Sequence, residues 1–305
     1  MFLKKIQRSF IYSAGFGFFV VCSLILRHLP QFLLYEIAKA FGALGYFLGG
    51  KFKKVALQNL RAGFSAEKSQ KEISRITMEC FISMAKSAIE LVTIVGKSPA
   101  FMKARYEIVN KKHLDKALAK GKGVILVSAH FGNFPSMIVR LSCEGYKTGA
   151  IMRPLKDERF EKFLAGERDR FRIHTIKSIP RKECVVETIK SLRNNEAIFL
   201  PLDQNFGTGG VFVDFFGRKA ATATGPVVLA QRTGAAVVPC FIIRQKNNRH
   251  KIIIEPEFPL LSSGNEQESI FINVQELTRI IESYVRKYPA EWSWIHRRWK
   301  TQPRV

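Results

Sequence analysis

What the chain has little of narrows its class first. Its 305 residues include only five cysteines, at positions 22, 80, 143, 184 and 240. Their number is odd and none stand in Cys-x-x-Cys spacing, so neither a disulfide framework nor a zinc site is implied. The body is therefore expected in a reducing compartment. Among six histidines, His113, His174 and His250 lack metal-ligand spacing and read as surface residues. Acidic residues are scarce, 25 Asp and Glu against 49 Lys and Arg, which leaves a formal charge of +24. A field of that sign attracts anionic lipid headgroups, nucleic acid or an acidic protein. No Lys/Arg block and no aromatic–basic interleaving accompany the charge, which disfavours nucleic acid. Internal repeats and low-complexity tracts are also missing. What remains is 47% hydrophobic, with 25 Phe and 3 Trp, enough for a large core and more.

Residues 10–26 are free of charge, preceded by Lys4, Lys5 and Arg8 and closed by Arg27, His28 and Pro30. At about 1.5 Å per residue this stretch covers roughly 26 Å as a helix, slightly short of a ~30 Å hydrocarbon core. A second apolar stretch, 32–48, carries Glu36 and Lys39 and small residues such as Ala38, Gly42 and Gly45. It reads as a helix packed on protein or lying in the interface. Arg27-His28-Leu29-Pro30 is a poor cleavage region, so a removed signal peptide is disfavoured. Positive charge on both sides leaves orientation open, and a single anchor or a monotopic hairpin both fit. The expected division is a membrane-anchoring helical segment, 1–50, and the main domain, 51–305.

Ser69 and Glu72 form a capping-box pattern ahead of Ile73, Ile76, Cys80, Phe81, Met84, Ala88 and Leu91 at helical spacing. Beyond it the elements alternate. Strand-like runs fall at 123–129, 197–200, 211–215, 235–243 and 251–254, and helix-like runs at 111–119, 158–170, 182–194, 225–233 and 267–287. That order predicts an α/β fold, a mostly parallel mixed sheet flanked by helices.

His130 ends the apolar run from Val124 to Ala129 and opens Phe131-Gly132-Asn133. A buried strand that stops at a histidine and a glycine turn presents an imidazole at the mouth of a cleft, where a general base belongs in an open α/β sheet. Three more islands follow. The first is Met152-Arg153-Pro154 with Arg168 and Arg170. Next comes Asp203-Gln204, running through Phe215-Phe216-Gly217 to Thr222-Ala223-Thr224-Gly225. Last is Trp292-Ser293-Trp294-Ile295-His296-Arg297-Arg298-Trp299-Lys300.

In this order and spacing the islands resemble the bacterial lipid A biosynthesis acyltransferases, over most of the chain. The resemblance implies transfer of a fatty acyl chain from an acyl carrier protein thioester to a hydroxyl on a phosphorylated glycolipid, at the cytoplasmic face of the inner membrane. No metal or bound cofactor is implied. The positive charge suits an acidic carrier protein, a phosphorylated acceptor and anionic membrane lipid. A hydroxyl needs a base near pKa 7, which imidazole supplies, and the oxyanion that follows needs a donor.

One departure stands out. The family pattern is His-x4-Glu or His-x4-Asp, and here that position is Pro135. Asp203, just past the end of a second strand, is the candidate to take the acid's place beside His130, since the ends of parallel strands lie close; capping a loop is its alternative role. Pro135 itself suits the first turn of a helix. Arg153, Arg168 and Arg170 match family positions for phosphate or oxyanion binding, with a solvated helix face as the alternative, and Gln204 belongs to the same substrate-binding set. Asn133 either touches substrate or caps the following helix. Phe215 and Phe216 suit an acyl tunnel or the core. Thr222, Thr224 and Gly225 suit an anion-binding helix start or ordinary capping. The tryptophan- and arginine-rich ending has the make-up of a membrane-interface anchor. Because of Pro135, two alternatives stay open: the same O-acyl transfer onto another glycolipid, lysophospholipid or aminolipid, or a catalytically impaired membrane-binding homologue.

Overall fold

The computed structural model of the chain describes residues 15–17, 19–64 and 67–303. In order, the elements are α1 (Gly15–Leu26), α2 (Gln31–Leu48), α3 (Gly50–Phe64), α4 (Gln70–Ile94), α5 (Pro99–Arg105), β1 (Tyr106–Val109) and α6 (Lys111–Leu118). Then come β2 (Val124–Ser128), α7 (Phe134–Ser142), β3 (Thr148–Met152), α8 (Glu158–Arg170), β4 (Ile173–Lys177), α9 (Arg181–Arg193) and β5 (Ala197–Pro201). The chain ends with β6 (Val211–Phe215), β7 (Arg218–Thr222), α10 (Gly225–Thr233), β8 (Ala236–Arg244), β9 (His250–Ile254) and α11 (Glu266–Lys287).

Seven strands form one sheet in the order β1-β9-β8-β2-β5-β3-β4, and β6 and β7 pair as a separate ribbon. Every neighbouring pair in the large sheet is parallel except β8 with β9. The α/β fold with a mostly parallel mixed sheet is therefore as expected. β2 and β5 lie in its middle and are apolar on both faces. Ile125, Val127, Ile198 and Leu200 join one buried cluster, while Val124, Leu126, Ala197 and Phe199 join the other. Such continuous apolar runs are what a strand covered on both sides requires.

Four strands escape the sequence reading: β1, β3, β4 and β7. All are short, and β4 is an edge strand with His174 and Lys177 partly or fully exposed. In β3, Gly149 lets the neighbouring strand close in, since a Cβ there would stand 2.7 Å from Ile198 Cδ1. None of them carries a long β-branched run.

α4 starts as the capping box predicts: the Ser69 side chain accepts from Glu72 N and Glu72 Oε2 accepts from Ser69 N at 2.8 Å. α2 lies against α4 so closely that a Cβ on Gly42 would fall 2.5 Å from Ile82 Cα. The 10–26 stretch reaches into the described residues only from Gly15 on, and its start lies outside them. Among the described residues no single helix is long and apolar enough to cross a membrane; α2 and α3 reach that length only as a pair bent by 88°.

Candidate active site

The register of two parallel strands builds the centre. Ser128 at the end of β2 pairs with Pro201 at the end of β5. Each chain then runs on two residues, to His130 and to Asp203, so two side chains 73 positions apart meet at the carboxyl edge of the sheet. His130 Nδ1 lies 2.9 Å from Asp203 Oδ1, and the His130 backbone N–H donates to Asp203 Oδ2 at 2.9 Å. Trp292 Nε1 donates to the same Oδ2 at 2.8 Å. Asp203 is buried among these donors, while the imidazole keeps 27% of its surface exposed.

The electrostatics follow from that arrangement. Burial by itself would raise the Asp203 carboxyl, but the His130 ring, the His130 amide and the Trp292 indole hold it below its ordinary 3.8. Burial would likewise depress His130, yet the hydrogen bond and negative charge of Asp203 outweigh it and the ring titrates above 6.5. With Nδ1–H committed to the carboxylate, Nε2 carries the lone pair. The Gln204 side-chain nitrogen stands 3.2 Å from it, so its amide donates to the one atom that can take a proton.

The turn after His130 is glycine's by necessity. Gly132 has φ 53°, and a Cβ there would lie 2.6 Å from Ile242 O. Asn133 then caps α7, accepting from Ser136 N and donating to Glu90 Oε2 at 2.8 Å. Glu90, buried on α4, also takes Tyr35 Oη at 2.9 Å and both ends of the Arg244 guanidinium. Thus α2, α4 and β8 converge on the turn that carries the histidine.

His130 borders an apolar cavity of about 460 Å³ between α4, α7 and α8, walled by residues such as Leu91, Phe134, Ile138, Ala150, Leu164 and Phe199. Pro135, in the first turn of α7, is part of that wall. Arg153 and Arg168 stand on its lining. Arg168 is tied to Glu161 and to Thr175 Oγ1. Arg153, exposed, makes no hydrogen bond or ion pair among the described residues. Arg170 lies outside this lining; it pairs with Glu167, donates to the carbonyl oxygens of Lys97 and Ile94 and covers the Phe171 ring. So His130, Asp203 and Gln204 come together, Arg153 and Arg168 flank the same cavity, and Asn133 and Arg170 face the protein.

The C-terminal ending corrects the sequence reading. Half of the expected interface cluster is turned inward: Trp292 and Trp294 are 1% and 0% exposed and Arg298 is 0% exposed, while Arg297 and Lys300 stay on the surface. The segment runs behind the two loops that carry His130 and Asp203. Gly132 N donates to Glu291 O, and Ser293 N to His130 O. Asn205 N donates to His296 Nε2 at 3.1 Å, and Arg298 donates to Gln204 O at 2.9 Å and to Ala221 O at 2.8 Å. Phe215 and Phe216 pack in the core against Trp292 and Trp294 respectively. Thr222 is consumed by Arg298 and Thr224 makes no capping bond. His250 is buried as well, stacked on Tyr106 and 3.5 Å from Glu90, and burial takes it down to about 4. Trp292, Glu90 and Arg298 were missed as site-building residues because their signal lies in contacts across the fold.

Comparison with known proteins identifies the class as acyltransferase. Residues 3–301 match the profile of the bacterial lipid A biosynthesis acyltransferases, nearly the whole chain, and the chain belongs to that family. It is 24% identical to the lipid A biosynthesis palmitoleoyltransferase of Escherichia coli (strain K12), over 90% of this chain and 87% of the relative. To the lauroyltransferase of the same organism it is 26% identical, over 92% and 89%. A phosphatidylinositol mannoside acyltransferase of Mycolicibacterium smegmatis is 26% identical over 63% of this chain and 62% of its own length.

Proposed function

We propose that this acyltransferase moves a fatty acyl chain from an acyl carrier protein thioester to a hydroxyl of a lipid A precursor, on the cytoplasmic face of the bacterial inner membrane. The observation that carries this reading is the His130–Asp203 pair, with the Nε2 edge of its imidazole at an apolar cavity. The acceptor hydroxyl displaces the Gln204 amide and hands its proton to His130 Nε2 as its oxygen attacks the thioester carbonyl. Asp203 balances the imidazolium that forms. The C–S bond then breaks, and the departing thiolate takes the proton back from His130. Arg153 and Arg168, both on the lining of that cavity, are the cations that would answer the oxyanion or an acceptor phosphate. The thioester itself supplies the activation, so the scheme draws on no metal or bound cofactor.

The cavity suits the acyl chain. It offers about 460 Å³ beside His130, walled mainly by apolar side chains. For the membrane, Phe41, Leu44 and Leu48 of α2, with neighbouring Phe47, are exposed, and Phe52, Lys51 and Lys54 follow at the start of α3. An apolar stripe beside lysines is the surface of a helix that beds into an anionic interface. A second acceptor class is favoured by Pro135, which puts an apolar ring where the family pattern has an acid, and by the mannoside-acylating relatives.

The test is direct. Purified enzyme is given labelled acyl carrier protein or coenzyme A thioesters and a panel of lipid A precursor, phosphatidylinositol mannoside and lysophospholipid acceptors, with products read by mass spectrometry. Acylated lipid A precursor is expected, and His130→Ala is expected to lower the rate ~10²–10⁴-fold. No ester product with any acceptor, or a His130→Ala rate within a few-fold of wild type, would refute the reading.

A further inference from the structure

The C-terminal Trp-x-Trp motif has no part in the scheme so far, although its first indole touches the catalytic carboxylate. Asp203 Oδ2 has two donors, the His130 amide and Trp292 Nε1, at 2.9 and 2.8 Å. Oδ1 is thereby left to the His130 ring. The indole cannot turn away: Trp292 is 1% exposed, edge-on to Phe215 at 5.4 Å and to Trp294 at 4.5 Å between ring centroids. Its backbone is fixed too, bridged to Phe131, with Ser293 N bonded to His130 O.

We infer that Trp292 is a positioning residue for acyl transfer: its indole N–H orients the Asp203 carboxylate towards His130 and limits how strongly that carboxylate holds the imidazolium proton. The inference rests on the reading of His130 and Asp203 as the proton-transfer pair. A carboxylate with two donors on one oxygen has part of its charge already answered, so it pulls less on the proton at Nδ1. A base in transfer chemistry works best with its pKa near the working pH. Asp203 alone drives His130 upward, and the indole opposes an excess of that drive. The same contact ties the C-terminal segment to the β5 loop, while Gly132 N bonded to Glu291 O ties it to the β2 loop. One segment thereby holds both halves of the pair in register.

Two substitutions test it in the full-length enzyme. Trp292→Phe keeps a ring but loses the N–H; replacement of Trp292 by benzothienylalanine keeps the size of the indole with sulfur in place of N–H. Loss of one hydrogen bond is expected to move the acid limb of the kcat–pH profile upward by about half a pH unit. kcat should fall about three- to tenfold while KM for both substrates holds. An NMR titration of the His130 ring nitrogens should show the same upward shift without any turnover. A purely structural tryptophan would lower the melting temperature and leave both midpoints where they are. An unmoved His130 midpoint in the sulfur isostere overturns the inference. Should His130→Ala itself retain full transfer, the proton-transfer reading fails instead, whatever the Trp292 variants do.

Discussion

Replacing Asp203 by Asn changes one atom, and the geometry dictates which one. Oδ2 receives two N–H donors that cannot rotate, the His130 backbone amide and the buried Trp292 indole. An NH2 group in that place would face both and leave them unanswered, at about 1–3 kcal/mol each. The amide therefore sets its oxygen at the Oδ2 position, preferred by roughly 2–6 kcal/mol, and its nitrogen at the Oδ1 position, facing His130 Nδ1. There it donates, so Nδ1 becomes the acceptor and the ring proton moves to Nε2. His130 is then a well-ordered imidazole with no lone pair towards the acceptor. The same change of tautomer in serine-hydrolase triads lowers turnover ~10⁴-fold, and a loss of that order is expected here, with the donor KM and the melting temperature close to wild type. Asp203→Ala, in contrast, strands both donors in the interior and should destabilise the fold. The assays are acyl transfer per folded molecule, a thermal melt and the 15N shifts of His130. Transfer within tenfold of wild type in the Asn variant, or an Nδ1–H tautomer in it, would refute the argument.

Transfer in the wild-type enzyme should rise with pH through a midpoint above 6.5, because the His130 pKa is raised and only the neutral ring is a base; a midpoint below 6.5 contradicts the pair's geometry. The sign for stability is opposite for the two partners. The raised His130 contributes below its unfolded value and loses that contribution as pH climbs through its folded one. The lowered Asp203 contributes above 3.8 and loses its share as pH falls through its folded value. Ala150→Leu puts three more carbons into the cavity wall, so the preferred acyl donor should become shorter, each excluded methylene forfeiting about 0.8 kcal/mol; an unchanged chain-length profile counts against the cavity as the acyl site. Gly42→Val forces α2 off the Ile82 backbone and should cost about 1–3 kcal/mol by overpacking, seen as a lower melting temperature. Phe41→Asp with Phe47→Asp should release the enzyme from anionic vesicles in a sedimentation assay, and retained binding would move the docking surface elsewhere.

The local parts of this protein are written in its sequence. A strand that ends at His130, a glycine that alone tolerates the next turn, a capping box at Ser69 and the alternation of helix and strand all depend on neighbours within a few residues. Asp203 was legible by a slightly longer step, since parallel strands of similar length end side by side. Tertiary structure alone decided the rest. Trp292 and Trp294 have the composition of an interface anchor, and only tertiary contacts turn them inward: Trp292 packs on Phe215 and bonds Asp203, and Trp294 packs on Phe216 and bonds the Pro289 carbonyl. His250 reads as a surface residue and Arg298 as part of an interface anchor because burying such groups costs energy unless partners answer them or, for His250, the ring gives up its charge. The backbone oxygens that hold Arg298 belong to Gln204 and Ala221, and the carboxylate beside His250 belongs to Glu90, all remote in sequence. Asn133 reads equally as cap or ligand until Glu90 is brought to it. Spacing along the chain records what each residue prefers, and the fold alone sets which distant partner makes an unfavourable burial possible.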